Sequence, residues 1–299
     1  MDSNQLNRDN SIPPQLSFGD RQPGFPVIKI NNAFATAEIS LYGGQVLSFQ
    51  PKKAQADLLF LSDRSTYQLG KAIRGGIPIC WPWFGADPAR LGRANHGFGR
   101  DRLWTVRNTE TLENGATRVA LSLQDDEATR KIWNYAFEVA IAITVGETLD
   151  LELTSHNRDQ RPMTITQALH TYFTVGDIQQ VKVLGLAGLD YIDKVDSAQQ
   201  KSQIGEVTIQ GEVDRIYQNT APKLFIDDPS LERKIEVCSR NSTTTIVWNP
   251  GMEKTATMGD LSPDAYQQFL CVETANAAAE SITLAPGERY TLGVTYRLL

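Results

Sequence analysis

Hydrophobic and polar positions alternate with a period of two along most of this chain. Val139, Ile141, Ile143 and Val145 share one face, with Ala140, Ala142 and Thr144 on the other. Gly146-Glu147 then turns the chain, and Leu149, Leu151 and Leu153 alternate with Asp150, Glu152 and Thr154. That pattern predicts a hairpin with one buried face. Arg118 to Leu123, Lys234 to Cys238 and the final Tyr290 to Leu298 repeat it. Helical periodicity is rare. Asp125 to Tyr135 predicts a short helix capped by Asp125 or Asp126, and Ser262 to Gln268 a second that starts at Ser262-Pro263. The pattern amounts to roughly 16–20 short strands with no linker and no fixed repeat, so the fold class is all-β, a large antiparallel sandwich.

The chain has 299 residues, and 41% are hydrophobic, enough for one sizeable core. Residues 1–22 are rich in Asn, Asp, Gln and Pro and read as a loosely ordered arm; residues 23–299 read as a single domain. The formal net charge is −6, which argues against nucleic acid or an anionic membrane as partner. No apolar run is long enough to span a bilayer, and the N-terminus lacks the apolar stretch of a signal peptide. Three cysteines, Cys80, Cys238 and Cys271, form no Cys-x-x-Cys pair, so neither a disulfide framework nor a zinc site is expected and a reducing cytoplasm fits.

Against that background a few residues carry chemistry. In Met163 to Phe173, alternation puts Ile165 and Leu169 on one face and Ala168, His170 and Tyr172 on the other. His170 is then either a core histidine bonded to backbone or a group at the end of a strand lining a hollow. Glu273 shares a face with Cys271, opposite Leu270 and Val272, and either leaves the strand into solvent or sits in a cleft with a raised pKa. His96 lies in Asn95-His96-Gly97-Phe98-Gly99-Arg100, a simple turn or a close backbone approach to a ligand. Arg74 precedes Gly75-Gly76. Trp81 and Trp83 follow, as packing residues or as aromatic faces for the C–H side of a sugar. Arginines on an acidic chain suit a small anion, though each could be an ordinary surface residue. Two histidines and a glutamate could ligate zinc, but no close pair such as His-x-His supports it. No nucleophile elbow, Walker loop or dinucleotide fingerprint is present.

Taken together, Arg74-Gly-Gly-Ile-Pro-Ile-Cys-Trp-Pro-Trp-Phe-Gly85, His96-Gly-Phe-Gly-Arg100, Ala168-Leu-His-Thr-Tyr-Phe173, Glu212-Val-Asp-Arg-Ile-Tyr217 and Val272-Glu-Thr-Ala-Asn276 resemble the aldose 1-epimerase (galactose mutarotase-like) superfamily, in its glucose-6-phosphate 1-epimerase branch. The resemblance runs from about residue 25 to the C-terminus in the expected order. It implies a β-supersandwich and an isomerase acting on a hexose 6-phosphate; two positioned acid–base groups suffice for such a reaction without metal or cofactor, and a compact sandwich with an acidic surface is expected to be a monomer. His170 is then expected as general acid and Glu273 as general base. His96, Asp214 and Trp83 would contact the sugar, and Arg74 and Arg100 would hold the phosphate. Attraction between His170 and Glu273 would raise the histidine pKa and lower that of the glutamate. A mutarotase of free sugars and a non-catalytic sugar-phosphate binding module are the alternatives.

Overall fold

A computed structural model describes residues 2–299. The alternation emerges as strands. Phe137–Val145 and Thr148–Asn157 pair antiparallel from Val145↔Leu149 to Phe137↔Asn157, with every second residue buried. They belong to a nine-stranded antiparallel sheet that also contains the C-terminal strand Arg289–Leu298. An eight-stranded sheet faces it, with Val213–Gln218, Thr244–Asn249 and Phe269–Asn276 side by side. A four-stranded meander, Leu16–Gln22 through Gln45–Pro51, adds to the same core.

One large apolar cluster runs from Leu16 to Leu298 and includes Leu151, Val294 and Tyr296 of the nine-stranded sheet and Val247, Leu270 and Val272 of the eight-stranded one. Burying such side chains stabilises the fold by about 1.5–3 kcal/mol each. A second cluster lies on the opposite face of the eight-stranded sheet and holds Cys80, Ala168, Tyr172, Ile246, Trp248, Phe269 and Cys271. This sheet is therefore covered on both faces. That is why Thr244–Asn249 and Phe269–Asn276 are buried at every residue and show no alternation in exposure.

Helices are short. Glu127–Ile132 falls inside the expected Asp125 to Tyr135 segment; Asp126 is its cap and forms a capping box with Thr129. The second expected helix shrinks to one 3₁₀ turn, Ala265–Gln267. Gly251–Thr255 and Ser3–Asn10 are helices that periodicity did not indicate. The segment 1–22 carries Ser3–Asn10 and the strand Leu16–Gln22, whose Leu16 and Phe18 reach the main core. Its polar composition hid those two anchors. Among the described residues, no helix is long and apolar enough to cross a membrane.

Candidate active site

A cleft of about 630 Å³ opens over the second apolar cluster. Its lining includes Arg74, His96, Arg100, His170, Asp214 and Glu273, six of the seven residues expected from sequence. They arrive on separate segments, except that His96 and Arg100 share one. Glu273 projects from Phe269–Asn276, and Asp214 from Val213–Gln218 two strands away. His170 sits in the break between Gln167–Leu169 and Tyr172–Thr174, where its N–H donates to the Pro78 carbonyl at 3.0 Å. The faces read from alternation hold across that break: Ile165 and Leu169 enter the main core, and Ala168 and Tyr172 enter the other cluster.

The two arginines and His96 come from loops whose shape requires glycine. Gly97 has φ +70°, and a Cβ there would lie 2.0 Å from the Trp81 carbonyl oxygen. The close pass seats His96 beside His170, with ring centroids 5.8 Å apart. His96 Nδ1 accepts from the Gly85 N–H at 3.3 Å, which assigns the ring proton to Nε2. Gly76, φ +62°, passes similarly close to the Val46 carbonyl and carries the Arg74 loop over the sheet.

At the floor, His170 Nδ1 lies 3.4 Å from Glu273 Oε1, and both side chains are buried. No described protein group hydrogen-bonds His170 Nδ1 or Glu273 Oε2. Burial is the largest influence on both. It pushes the Glu273 carboxyl well above the usual carboxylate range, reinforced by Asp214 and opposed by Arg100. It pushes His170 well below the usual imidazole range, reinforced by His96, Arg100 and Arg74. These directions reverse the expectation from mutual attraction, because desolvation of two buried charges outweighs their pairing. The same causes, burial and then Arg100 and Arg74, push His96 down to about 3. Asp214 is raised, chiefly by burial, while Lys254 and Lys194 pull the other way.

The cations differ in how far they are already neutralised. Arg74 is held by Asp260, with Nε at 3.0 Å and Nη2 at 2.9 Å from Oδ2. Arg100 reaches the Asn95 carbonyl at 2.9 Å and has no carboxylate within 4 Å among the described residues. Both also border a second hollow of about 510 Å³ with Lys71, Tyr172 and Asp260 on its wall.

Trp83 does not line the cleft. It is 3% exposed, its Nε1–H donates to the Ala94 carbonyl at 3.0 Å, and Arg93 covers its face at 4.3 Å. The Arg93 guanidinium is fixed in turn by Asp87. Trp83 thus packs behind the loop that carries His96, and the aromatic residues in the cleft are Phe84 and Trp248. Phe84 meets His96 edge-on at 5.0 Å, and Trp248 meets His170 edge-on at 5.8 Å. Sequence reasoning missed Trp248, Lys194 and Lys254, since nothing in their neighbourhoods separates a cleft residue from a core or surface one.

The profile of the aldose 1-epimerase family matches residues 26–297. The chain belongs to the aldose 1-epimerase family. A relative from Salmonella typhimurium, provisionally named a glucose-6-phosphate 1-epimerase, is 38% identical over 254 residues, covering 85% of this chain and 84% of the relative. One from Cenchrus ciliaris with the same provisional name is 38% identical over 263 residues, 85% of this chain and 78% of its own. The crystal structure of a provisionally assigned mutarotase from Salmonella typhimurium superposes with a TM-score of 0.90 at 34% identity, covering 97% of this chain and 95% of that one. A galactose mutarotase related enzyme from Lactobacillus acidophilus, at 14% identity and TM-score 0.75, shares the fold over 91% of this chain and 97% of its own. The antiparallel sandwich described above is the aldose 1-epimerase architecture, and the cleft opens on one face of its eight-stranded sheet.

Proposed function

We propose that this aldose 1-epimerase interconverts the α and β anomers of glucose 6-phosphate, with Glu273 and His170 as the base and acid. The observation that carries the reading is the buried His170–Glu273 pair on the floor of a cleft that also presents Arg100, a guanidinium without a carboxylate partner among the described residues. A neutral sugar offers that charge nothing; a phosphate does.

Ionised Glu273 takes the proton of the C1 hydroxyl while protonated His170 gives one to the ring oxygen. The C1–O5 bond breaks and leaves an aldehyde, a neutral histidine and a protonated glutamate. Rotation about C1–C2 turns the other aldehyde face to the O5 hydroxyl, and both protons return as the ring closes. The pair carries one proton in all at both ends of this cycle. Burial favours the neutral distribution, the partner of the open-chain sugar, over the ion pair that starts the cycle. His96 and Asp214 are placed to bind hydroxyls, and Arg74 and Arg100 to hold the phosphate and orient the ring. The three unpaired cysteines fit a reducing cytoplasm, and we assign the protein there as a monomer without a metal or cofactor.

Magnetisation transfer between α- and β-glucose 6-phosphate, with and without protein, tests this. Acceleration confined to the phosphorylated sugar is the expected result. Equal acceleration of glucose or galactose would move the protein to free-sugar mutarotation, and saturable binding without acceleration would make it a binding module. Arg74→Ala should raise KM about 10–100-fold, the worth of one charge-assisted contact, with a smaller change in kcat.

A further inference from the structure

Tyr172 stands between the cation that would hold the anion and the histidine of the buried pair. Its hydroxyl accepts from Arg74 Nη1 at 2.8 Å. Its ring lies flat against His170, with centroids 4.9 Å apart and planes 11° from parallel. Trp248 closes on both rings edge-on, at 5.8 Å to His170 and 5.9 Å to Tyr172. The Tyr172 side chain is 2% exposed, and its backbone is tied to the same loop from two sides: its N–H donates to the Gly76 carbonyl, and its carbonyl accepts from the Phe60 N–H.

Arg74 can be counted donor by donor. A guanidinium has five N–H groups. Nε donates to Asp260 and Nη1 donates to Tyr172, while Nη2 lies 2.9 Å from the same Asp260 oxygen without a hydrogen bond to it, which leaves one N–H on Nη1 and those of Nη2 for a ligand. Asp260 belongs to an exposed loop, with its side chain 32% exposed. Tyr172 is the buried partner, and it fixes the guanidinium plane relative to the sheet.

We propose that Tyr172 is a positioning residue: its hydroxyl sets Arg74 for the substrate's anionic group, and its ring braces that setting against His170. The anion site and the acid of the pair are then one mechanical unit. This rests on the reading of Arg74 as the anion clamp.

The test compares wild type, Tyr172→Phe, Arg74→Ala, the double variant and His170→Ala. Affinity for inorganic phosphate is read by titration, and kcat and KM for glucose 6-phosphate by anomer exchange. Loss of one charge-assisted hydrogen bond predicts phosphate affinity about tenfold weaker in Tyr172→Phe, with KM raised to match and kcat within about threefold. In the Arg74→Ala background the same change should cost nothing further, as coupled partners require. His170→Ala should weaken phosphate about threefold through the lost brace, an effect at the low end of the worth of an aromatic pair. Thermal melts confirm that each variant is folded at the working temperature.

Unchanged phosphate affinity in Tyr172→Phe overturns the proposal. So does a loss of the same size with and without Arg74, which would mark Tyr172 as filler. Unchanged affinity in His170→Ala overturns the brace. If wild type fails to accelerate anomer exchange, the functional reading fails, yet an Arg74-dependent loss of phosphate affinity still supports the role of Tyr172. A wild type that binds no phosphate overturns both.

Discussion

Glu273 is a carboxyl that burial holds protonated well above the range of a free side chain, with Oε2 left unpaired by the protein. The linkage is a cost to folding. The unfolded chain releases this proton near pH 4.3, whereas the folded protein keeps it, so stability falls as pH rises above about 4.3 toward the raised folded value. Glu273→Gln removes the cost. It should lower kcat at least about 10²-fold, since it deletes the base. It should also raise Tm at pH 7–8 by about 2 °C or more, with the gain shrinking as pH approaches 4. A melt that drops at neutral pH would show that the carboxylate stabilises the fold instead. The pair also sets the pH profile. Activity needs one proton on the two groups together. With His170 lowered and Glu273 raised, the acid limb belongs to the histidine and the alkaline limb to the glutamate, the reverse of the free side chains. Turnover should therefore persist well above pH 6.5, the free imidazole value. A pH–kcat profile with its alkaline limb at or below 6.5 would contradict this.

The elements that carry the site differ in how plainly the sequence announces them. Alternation in Val139 to Leu153 gave the hairpin, and alternation in Met163 to Phe173 gave the correct face for His170 even though that run is three short strands. Thr244–Asn249 resisted such reading because its sheet is covered on both faces, which hid Trp248 in a strand buried at every residue and without alternation. Trp83 was misplaced for a related reason: aromatics beside arginines look alike whether they face a ligand or brace a loop. The Gly97 loop is the element most open to test. A Cβ at φ +70°, 2.0 Å from the Trp81 carbonyl, cannot be accommodated without moving backbone. Gly97→Ala should cost about 1–3 kcal/mol of stability and displace both His96 and Arg100. The expected signature is a lower Tm together with raised KM, read from a thermal melt and anomer-exchange kinetics. A variant that melts and binds like wild type would mean that the loop relaxes freely.

At the scale of the whole molecule, two opposing fields act on an anionic substrate. The chain carries a formal charge of −6, yet Arg74, Arg100, Lys194 and Lys254 gather at one cleft, with Lys71 beside it. The repulsion is spread over the protein, whereas the attraction is local. Salt separates them by range. The Debye length is about 30 Å at 0.01 M, about the size of a domain, and about 8 Å at 0.15 M, about the reach of the cleft cations. Moderate salt should therefore remove the repulsion first and leave the attraction. We expect KM for glucose 6-phosphate to pass through a minimum as sodium chloride rises, falling or level up to about 0.1 M and climbing by about 0.5 M. A KM that climbs steadily from the lowest salt would show that the cleft cations dominate at every range. In Arg100→Ala the minimum should flatten, because this arginine, like Lys194, supplies a cleft charge with no carboxylate within 4 Å among the described residues. An ionic-strength series on the two proteins, at constant pH and in a buffer free of phosphate and sulfate, reads both effects.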